Sequence, residues 1–250
     1  MSGQPAPPIG KCLSGNALKM IAIVAMTTDH LAWLFFPKFP LDALPVSMHI
    51  IGRLTAPIMM FFIAEGYHYT RDRNKYLKRL LIFAVISHVP YTMMFPQFVV
   101  IPGIPTTSVI WPFAMGLLAL MIDRKDLLPN VKAWQRTVLV WVCFIVALPS
   151  DWSMPAAIAI FLMGRAHGDF KRQMLALVGP LATYAVACAC LFSPAYGLHQ
   201  IAIVLAIPLL AAYSGKRGTM GGKAMKWLFY IYYPAHLLIL GSIRIFILHT

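Results

Sequence analysis

Apolar stretches, most of them close to the length a helix needs to cross a bilayer, alternate with short polar connections along the chain. Nine such stretches are predicted as helices, at about 17–36, 48–68, 77–95, 104–122, 136–150, 152–167, 173–192, 197–213 and 226–248. The fifth and sixth are short, and one of them has the length of a re-entrant segment. No repeat is evident, and no connection is long enough to hold a second domain. The expected fold class is all-α, a polytopic transmembrane helix bundle of about nine spans. Residues 1–16, rich in Pro and Gly at their start, are expected as a flexible tail ahead of a single transmembrane domain, 17–250. The first apolar stretch is too long for the core of a signal peptide and precedes no small-residue cleavage site, so it is expected to be retained.

Composition supports this pattern. Hydrophobic residues make up 60% of the 250-residue chain and charged residues 12%, against roughly 25% charged in a soluble domain. The formal net charge is +13, which in a soluble protein would suggest nucleic acid. Placement gives another answer. Lys11 and Lys19, then Arg71 to Arg79, then Arg124, Lys125, Lys132 and Arg136, then Arg165, Lys171 and Arg172, and finally Lys216, Arg217, Lys223 and Lys226 fall in alternate connections, while the opposite connections hold Lys38 alone. The positive-inside rule then puts the N-terminus in the cytoplasm and the C-terminus across the membrane, with a lipid bilayer and no nucleic acid as partner. The four cysteines have neither disulfide nor zinc spacing. Any site must therefore be built from helix interiors and short loops.

Ionisable residues inside apolar helices are costly, and so are candidates for function. Asp29 and His30 lie in the first span, Arg53 and Glu65 in the second, His88 in the third, His236 and Arg244 in the last. His30, His88 and His236 follow Lys19, Arg79 and Lys226 by similar intervals, which places all three about 14–17 Å into the membrane. They point to a shared internal cavity, against the plainer alternative that each makes one interhelical hydrogen bond. Lys19 and His30 are about three turns apart on one helix face, which suits a ligand with phosphates at one end and a reactive group at the other. The loop Arg71, Arg73, Lys75, Lys78, Arg79 is the densest basic cluster. It suits the phosphates of a nucleotide-like cofactor, with lipid headgroups as the alternative. Tyr232, Tyr233 and Pro234 precede His236, and the proline is expected to kink that helix.

Three stretches taken together, Lys19–His30, Ile51–Pro90 and Phe229–His236, resemble the TraX family, whose namesake acetylates the N-terminus of conjugative pilin at the inner membrane. The first and last also resemble the wider membrane acyltransferase 3 superfamily, with a basic residue, ten positions and a histidine. That resemblance implies His30 as the essential histidine, Lys19 as its cationic partner, Lys78 and Arg79 as residues that meet coenzyme A, and His236 as the histidine of the terminal motif. The function it implies is acetyl transfer from acetyl-CoA to an acceptor amine or hydroxyl, with a pilin as protein partner and the bacterial inner membrane as location. Lys19, Arg53 and the Arg71–Arg79 cations would hold the cofactor, and His30 would act as general base. His236 or Tyr233 would stabilise the oxyanion. Asp29 lies about 100° around the helix from His30 and is expected to pair with Arg53 or another helix instead. Two other classes stay open. One is a proton-coupled transporter with a relay of Asp29, His30, Glu65 and His88. The other is a haem or metal protein held by His30, His88 and His236.

Overall fold

The computed structural model describes residues 12–37, 39–96, 103–218 and 222–248, with the backbone alone for 222–226. Eleven α-helices follow one another: α1 Gly15–Phe35, α2 Ala43–Gly52, α3 Thr55–Tyr69, α4 Arg73–Met94, α5 Ile110–Asp123, α6 Ala133–Val146, α7 Ser153–Arg165, α8 Phe170–Leu191, α9 Pro194–Gln200, α10 Ala206–Ala211 and α11 Gly222–Ile243. A 3-10 segment, Ile201–Leu205, joins α9 to α10, and a π-helical turn, Arg244–Leu248, follows α11. The described residues form no strand.

Small polar residues set where several helices begin. The side chains of Ser14, Asp72, Asp169 and Ser193 accept the backbone N–H of Ala17, Lys75, Arg172 and Tyr196, satisfying donors that a helix start leaves open. Five segments among the described residues are long and apolar enough to cross a membrane: Gly15–Phe35, Ala43–Tyr69, Phe170–Leu191, Pro194–Ala211 and Trp227–Leu248. Shorter apolar helices are α5, α6 and α7. α4 is long, but Arg73, Lys75, Lys78 and Arg79 charge its first two turns. Large apolar side chains such as Val85, Trp141 and Val186 stand exposed on the outside, as a bilayer-facing surface allows.

Two expected spans are broken. The second divides at Arg53 and Leu54 into α2 and α3, and the eighth passes through the 3-10 segment between α9 and α10. The expected tail lies mostly outside the described residues. Its last part is pinned, because Leu13 N–H donates to Ala212 O, Gly15 N–H to Lys216 O and Asn16 N–H to Arg217 O, each at 2.9 Å.

Hydrogen bonds gather the connections at two ends. At one, Tyr67 Oη and Arg73 Nη1 both donate to the Asp126 carboxylate at 2.6 Å. At the other, Thr107 N–H donates to Pro149 O and Asp151 N–H to Thr107 O, both at 2.9 Å. Between the ends, small residues let helices approach closely, as is usual where lipid gives no hydrophobic drive to association. A Cβ on Gly116 of α5 would stand 2.7 Å from the Ala157 carbonyl oxygen of α7 and 2.9 Å from Ile160 Cβ. Gly116→Val therefore has to push two backbones apart. It is expected to cost about 1–3 kcal/mol, the range for overpacking, and to lower the thermal unfolding midpoint in detergent.

Candidate active site

Asp29 anchors the middle of the molecule. Its carboxylate accepts two hydrogen bonds from Arg53 Nη2, at 3.0 and 2.9 Å, and one from His49 Nδ1 at 2.9 Å. Arg53 Nη1 donates to Gln200 Oε1 at 2.8 Å, and Gln200 Nε2 to Tyr196 O at 3.3 Å. Asp29, His49, Arg53 and Gln200 are all buried. The pairing explains Gly52, because any Cβ there would collide with Asp29. From the turn after α2, Arg53 reaches α1 on one side and α9 on the other. Asp29 thus turns away from His30, as its helical angle requires.

His30 finds its partner on α11. His30 Nδ1 lies 2.7 Å from His236 Nε2, in rings 2° from parallel. His236 Nδ1 lies 2.8 Å from the Tyr232 carbonyl oxygen. For neutral rings this chain has one solution, with hydrogens assigned from the network. A carbonyl only accepts, so His236 Nδ1 carries its proton. His236 Nε2 then accepts, and His30 Nδ1 donates to it. His30 Nε2 is left with a lone pair and no hydrogen-bond partner among the described residues, on a side chain that lines a cavity. The Tyr232 ring lies 4.9 Å from that of His236, and its hydroxyl meets Thr27 Oγ1 at 2.6 Å. Thr27 spends its proton on Ile23 O, so Tyr232 is the donor, and the bond clips α11 to α1.

The cavity has a volume of about 1050 Å³ and is lined by residues from both ends of the bundle. At the end that holds residues 13–16, Lys19, Lys75, Arg79 and Arg217 line it. Lys19 Nζ sits 4.9 Å from the Phe62 ring and 5.4 Å from the Phe229 ring, and the Arg79 guanidinium 5.7 Å from the Tyr76 ring. The one carboxylate lining that stretch, Asp72, is taken by Lys75 Nζ at 3.1 Å. Lys19 and Arg79 meet no carboxylate among the described residues.

The sequence-predicted residues divide accordingly. Asp29, His30, Arg53, Tyr233, Lys19, Lys75 and Arg79 line the cavity, and His236 holds His30 from behind. Arg71 and Arg73 line a separate shallow hollow beside Asp126, and Lys78 stands exposed. His88 is half-buried and does not line the cavity. The third imidazole of a three-histidine metal site is therefore elsewhere, and no group of three metal-binding side chains occurs among the described residues. Glu65 pairs instead with His167 at 2.9 Å and Gln173 at 3.1 Å, so the four-residue relay of Asp29, His30, Glu65 and His88 is not joined.

Three residues escaped the sequence reading. His49 and Gln200 sit at span ends, where polar residues are ordinary. Asp151 lies in the short connection between the two shortest expected spans, and the structure puts it at the cavity's other end. Burial and the nearby Asp29 carboxylate push the Asp151 carboxyl up to about 6, against the opposing pull of Arg53. A carboxylate at the mouth of two adjoining apolar helices is the signal that would have found it.

The family model described as "TraX protein" matches residues 14–244. A protein of Dichelobacter nodosus named "Probable fimbrial assembly protein FimC, serogroup H1" is 31% identical over 244 residues, 94% of this chain and 97% of that protein. An uncharacterized protein of Rickettsia prowazekii (strain Madrid E) is 31% identical over 112 residues, 45% of this chain and 38% of that protein. No solved structure matches.

Asp29→Asn removes one partner of a buried charge pair and is expected to destabilise by about 3–5 kcal/mol, read as a lower unfolding midpoint in detergent. Asp151 gives a pH signature. Its folded pKa exceeds the ordinary carboxyl value, so its stabilising contribution is full below about 4 and is lost as pH rises through about 6. The Asp151→Asn variant should lose that fall between pH 4 and 6 in a thermal scan.

Proposed function

The chain belongs to the TraX family, and from that premise we propose that it moves an acetyl group from acetyl-CoA to an acceptor amine or hydroxyl, the N-terminus of a pilin above all. The observation that carries this reading is the His30–His236–Tyr232 hydrogen-bond chain on a cavity that His30 lines and whose one mouth is lined by Lys19, Lys75, Arg79 and Arg217. The fimbrial-assembly name of the Dichelobacter relative supports a pilin as acceptor. The spacing of Lys19 and His30 supports a place in the membrane acyltransferase 3 superfamily.

In this reading nine segments cross the bacterial inner membrane, with α2–α3 and α9–α10 each making one crossing, and the N-terminus lies in the cytoplasm. The basic connections gather at the end that carries the cationic mouth, where cytoplasmic acetyl-CoA would enter. Its phosphates meet Lys19 and Arg79, and its thioester reaches His30. The acceptor nitrogen attacks the thioester carbonyl carbon while His30 Nε2 takes its proton. The carbon–sulfur bond then breaks, and His30 returns the proton to the leaving sulfur as the thiol forms. His236 has both ring nitrogens engaged, so it serves as a positioning residue and not as an oxyanion donor. Tyr233, buried and facing the cavity, keeps that role. The same lone pair also suits direct attack by His30 with an acyl-imidazole intermediate, which would show as a burst of thiol release before acceptor is added.

Two predictions follow from this assignment. Purified protein in detergent should bind acetyl-CoA saturably, and Lys19→Ala/Arg79→Ala should weaken binding at least tenfold while the exposed Lys78→Ala leaves it unchanged. His30→Ala should retain binding and lower acetyl transfer by about 10²–10⁴, the usual contribution of a general base. A well-folded wild-type sample that does not bind acetyl-CoA would sink the proposal.

A further inference from the structure

The charges along the cavity are arranged by sign. At the mouth beside residues 13–16, four cations, Lys19, Lys75, Arg79 and Arg217, face the single carboxylate of Asp72. Farther along, two carboxylates, Asp29 and Asp151, face the single guanidinium of Arg53. Asp29 takes both hydrogen bonds of Arg53 Nη2 and a third from His49, and Arg53 Nη1 goes to Gln200. Asp151 is left as the carboxylate on this wall with no ion-pair partner among the described residues. A half-buried carboxylate in such a place is costly unless a cation joins it, and Arg53, already hydrogen-bonded to Asp29 and Gln200, makes no ion pair with it.

The Trp152 backbone N–H already donates to the Asp151 carboxylate, and the two serines that flank this stretch offer acceptors. Ser150 Oγ donates to Ala147 O at 2.5 Å and Ser153 Oγ to Leu148 O at 2.9 Å. Both residues line the cavity, and with their protons spent they have only lone pairs left to offer. Tyr184 and Tyr196 line the same stretch, with the Tyr184 ring 5.1 Å from that of Trp152, and aromatic faces favour cations. A hydroxyl ligand both donates and accepts, whereas an ammonium has three donors and no acceptor. The wall suits the ammonium.

We infer that Asp151, with Ser150 and Ser153, is the subsite that receives a protonated primary amine at the end of the acceptor and selects it over a hydroxyl. The inference rests on the acyl-transfer reading for its biological sense, but the subsite stands on its own geometry. The ammonium enters from the end opposite the cationic mouth, so the polyanionic donor and the cationic acceptor are sorted to opposite ends of one cavity by charge. Before it can attack, the ammonium must give up one proton to regain its lone pair, and the Asp151 carboxylate beside it is the group placed to take that proton and pass it to water. His30 takes the second proton during attack.

Two probes test this on the full chain in detergent: an alanine tetrapeptide amide with a free α-ammonium, and its counterpart with a lactyl hydroxyl in place of that group. Without acetyl-CoA, the wild type should bind the ammonium peptide at least tenfold more tightly than the lactyl one. Asp151→Asn, nearly isosteric and checked for an unchanged fold by thermal unfolding, should lose the preference by weakening the ammonium peptide alone. Asp151→Glu should restore part of it. No preference in the wild type, binding of neither peptide, or a preference that persists in Asp151→Asn would overturn the inference. Acetyl transfer is measured separately. An intact preference without transfer would remove the acyltransferase reading and keep the subsite, while transfer at equal rates to both peptides by wild type and Asp151→Asn would remove the subsite and keep the transfer.

Discussion

A carboxylate and a guanidinium shut away from water inside an apolar bundle have to be satisfied by the protein itself. Asp29 and Arg53 meet that demand together, and much of the architecture follows from it. Arg53 reaches Asp29 from the turn between α2 and α3, and Asp29 can come this close to Gly52 only because Gly52 has no side chain. The second hand of the guanidinium recruits Gln200 at the point where α9 gives way to a 3-10 segment. Two broken helices and one continuous helix are thus tied at one buried point. In a medium that drives no association of apolar faces, a charge-assisted hydrogen-bond cluster of this kind sets register between helices.

That junction leaves space beside it. The cavity lies along Asp29, Arg53 and Tyr196. Broken helices inside a membrane domain are tolerated where they line such a space. The junction also keeps Asp29 from interfering with its neighbour. Adjacent in sequence but turned around the helix, His30 is free to meet α11 instead.

The pairing of His30 with His236 orients a buried histidine without a carboxylate partner. A backbone carbonyl fixes the tautomer of one ring, and that ring fixes the next. The arrangement adds no formal charge to the middle of the bundle. It also differs from the usual orientation of a histidine by an acid, and it makes the setting of His30 depend on the placement of α11, held by Tyr232 and Thr27.

The all-helical fold was legible in the chain because apolar length and alternating basic connections are one-dimensional signals. So were His30 and His236 as candidates, at similar intervals of 11 and 10 residues from Lys19 and Lys226, and the two side chains meet in the structure. Depth alone could not say which way a side chain faces. His88, expected at the depth of His30, does not line the cavity, and Lys78, close to Arg79 in sequence, stands exposed. His49 and Gln200 carry no local mark at all, since each is an ordinary polar residue near a helix end, and Asp151 carries only its place between two adjoining apolar helices. The sequence by itself determined which segments are helices and how deep their polar residues lie, because hydrophobicity and helical rise act along the chain. Only the tertiary structure decided which of those residues meet, because rotation about each helix axis is set by the partners that buried charges must find across it.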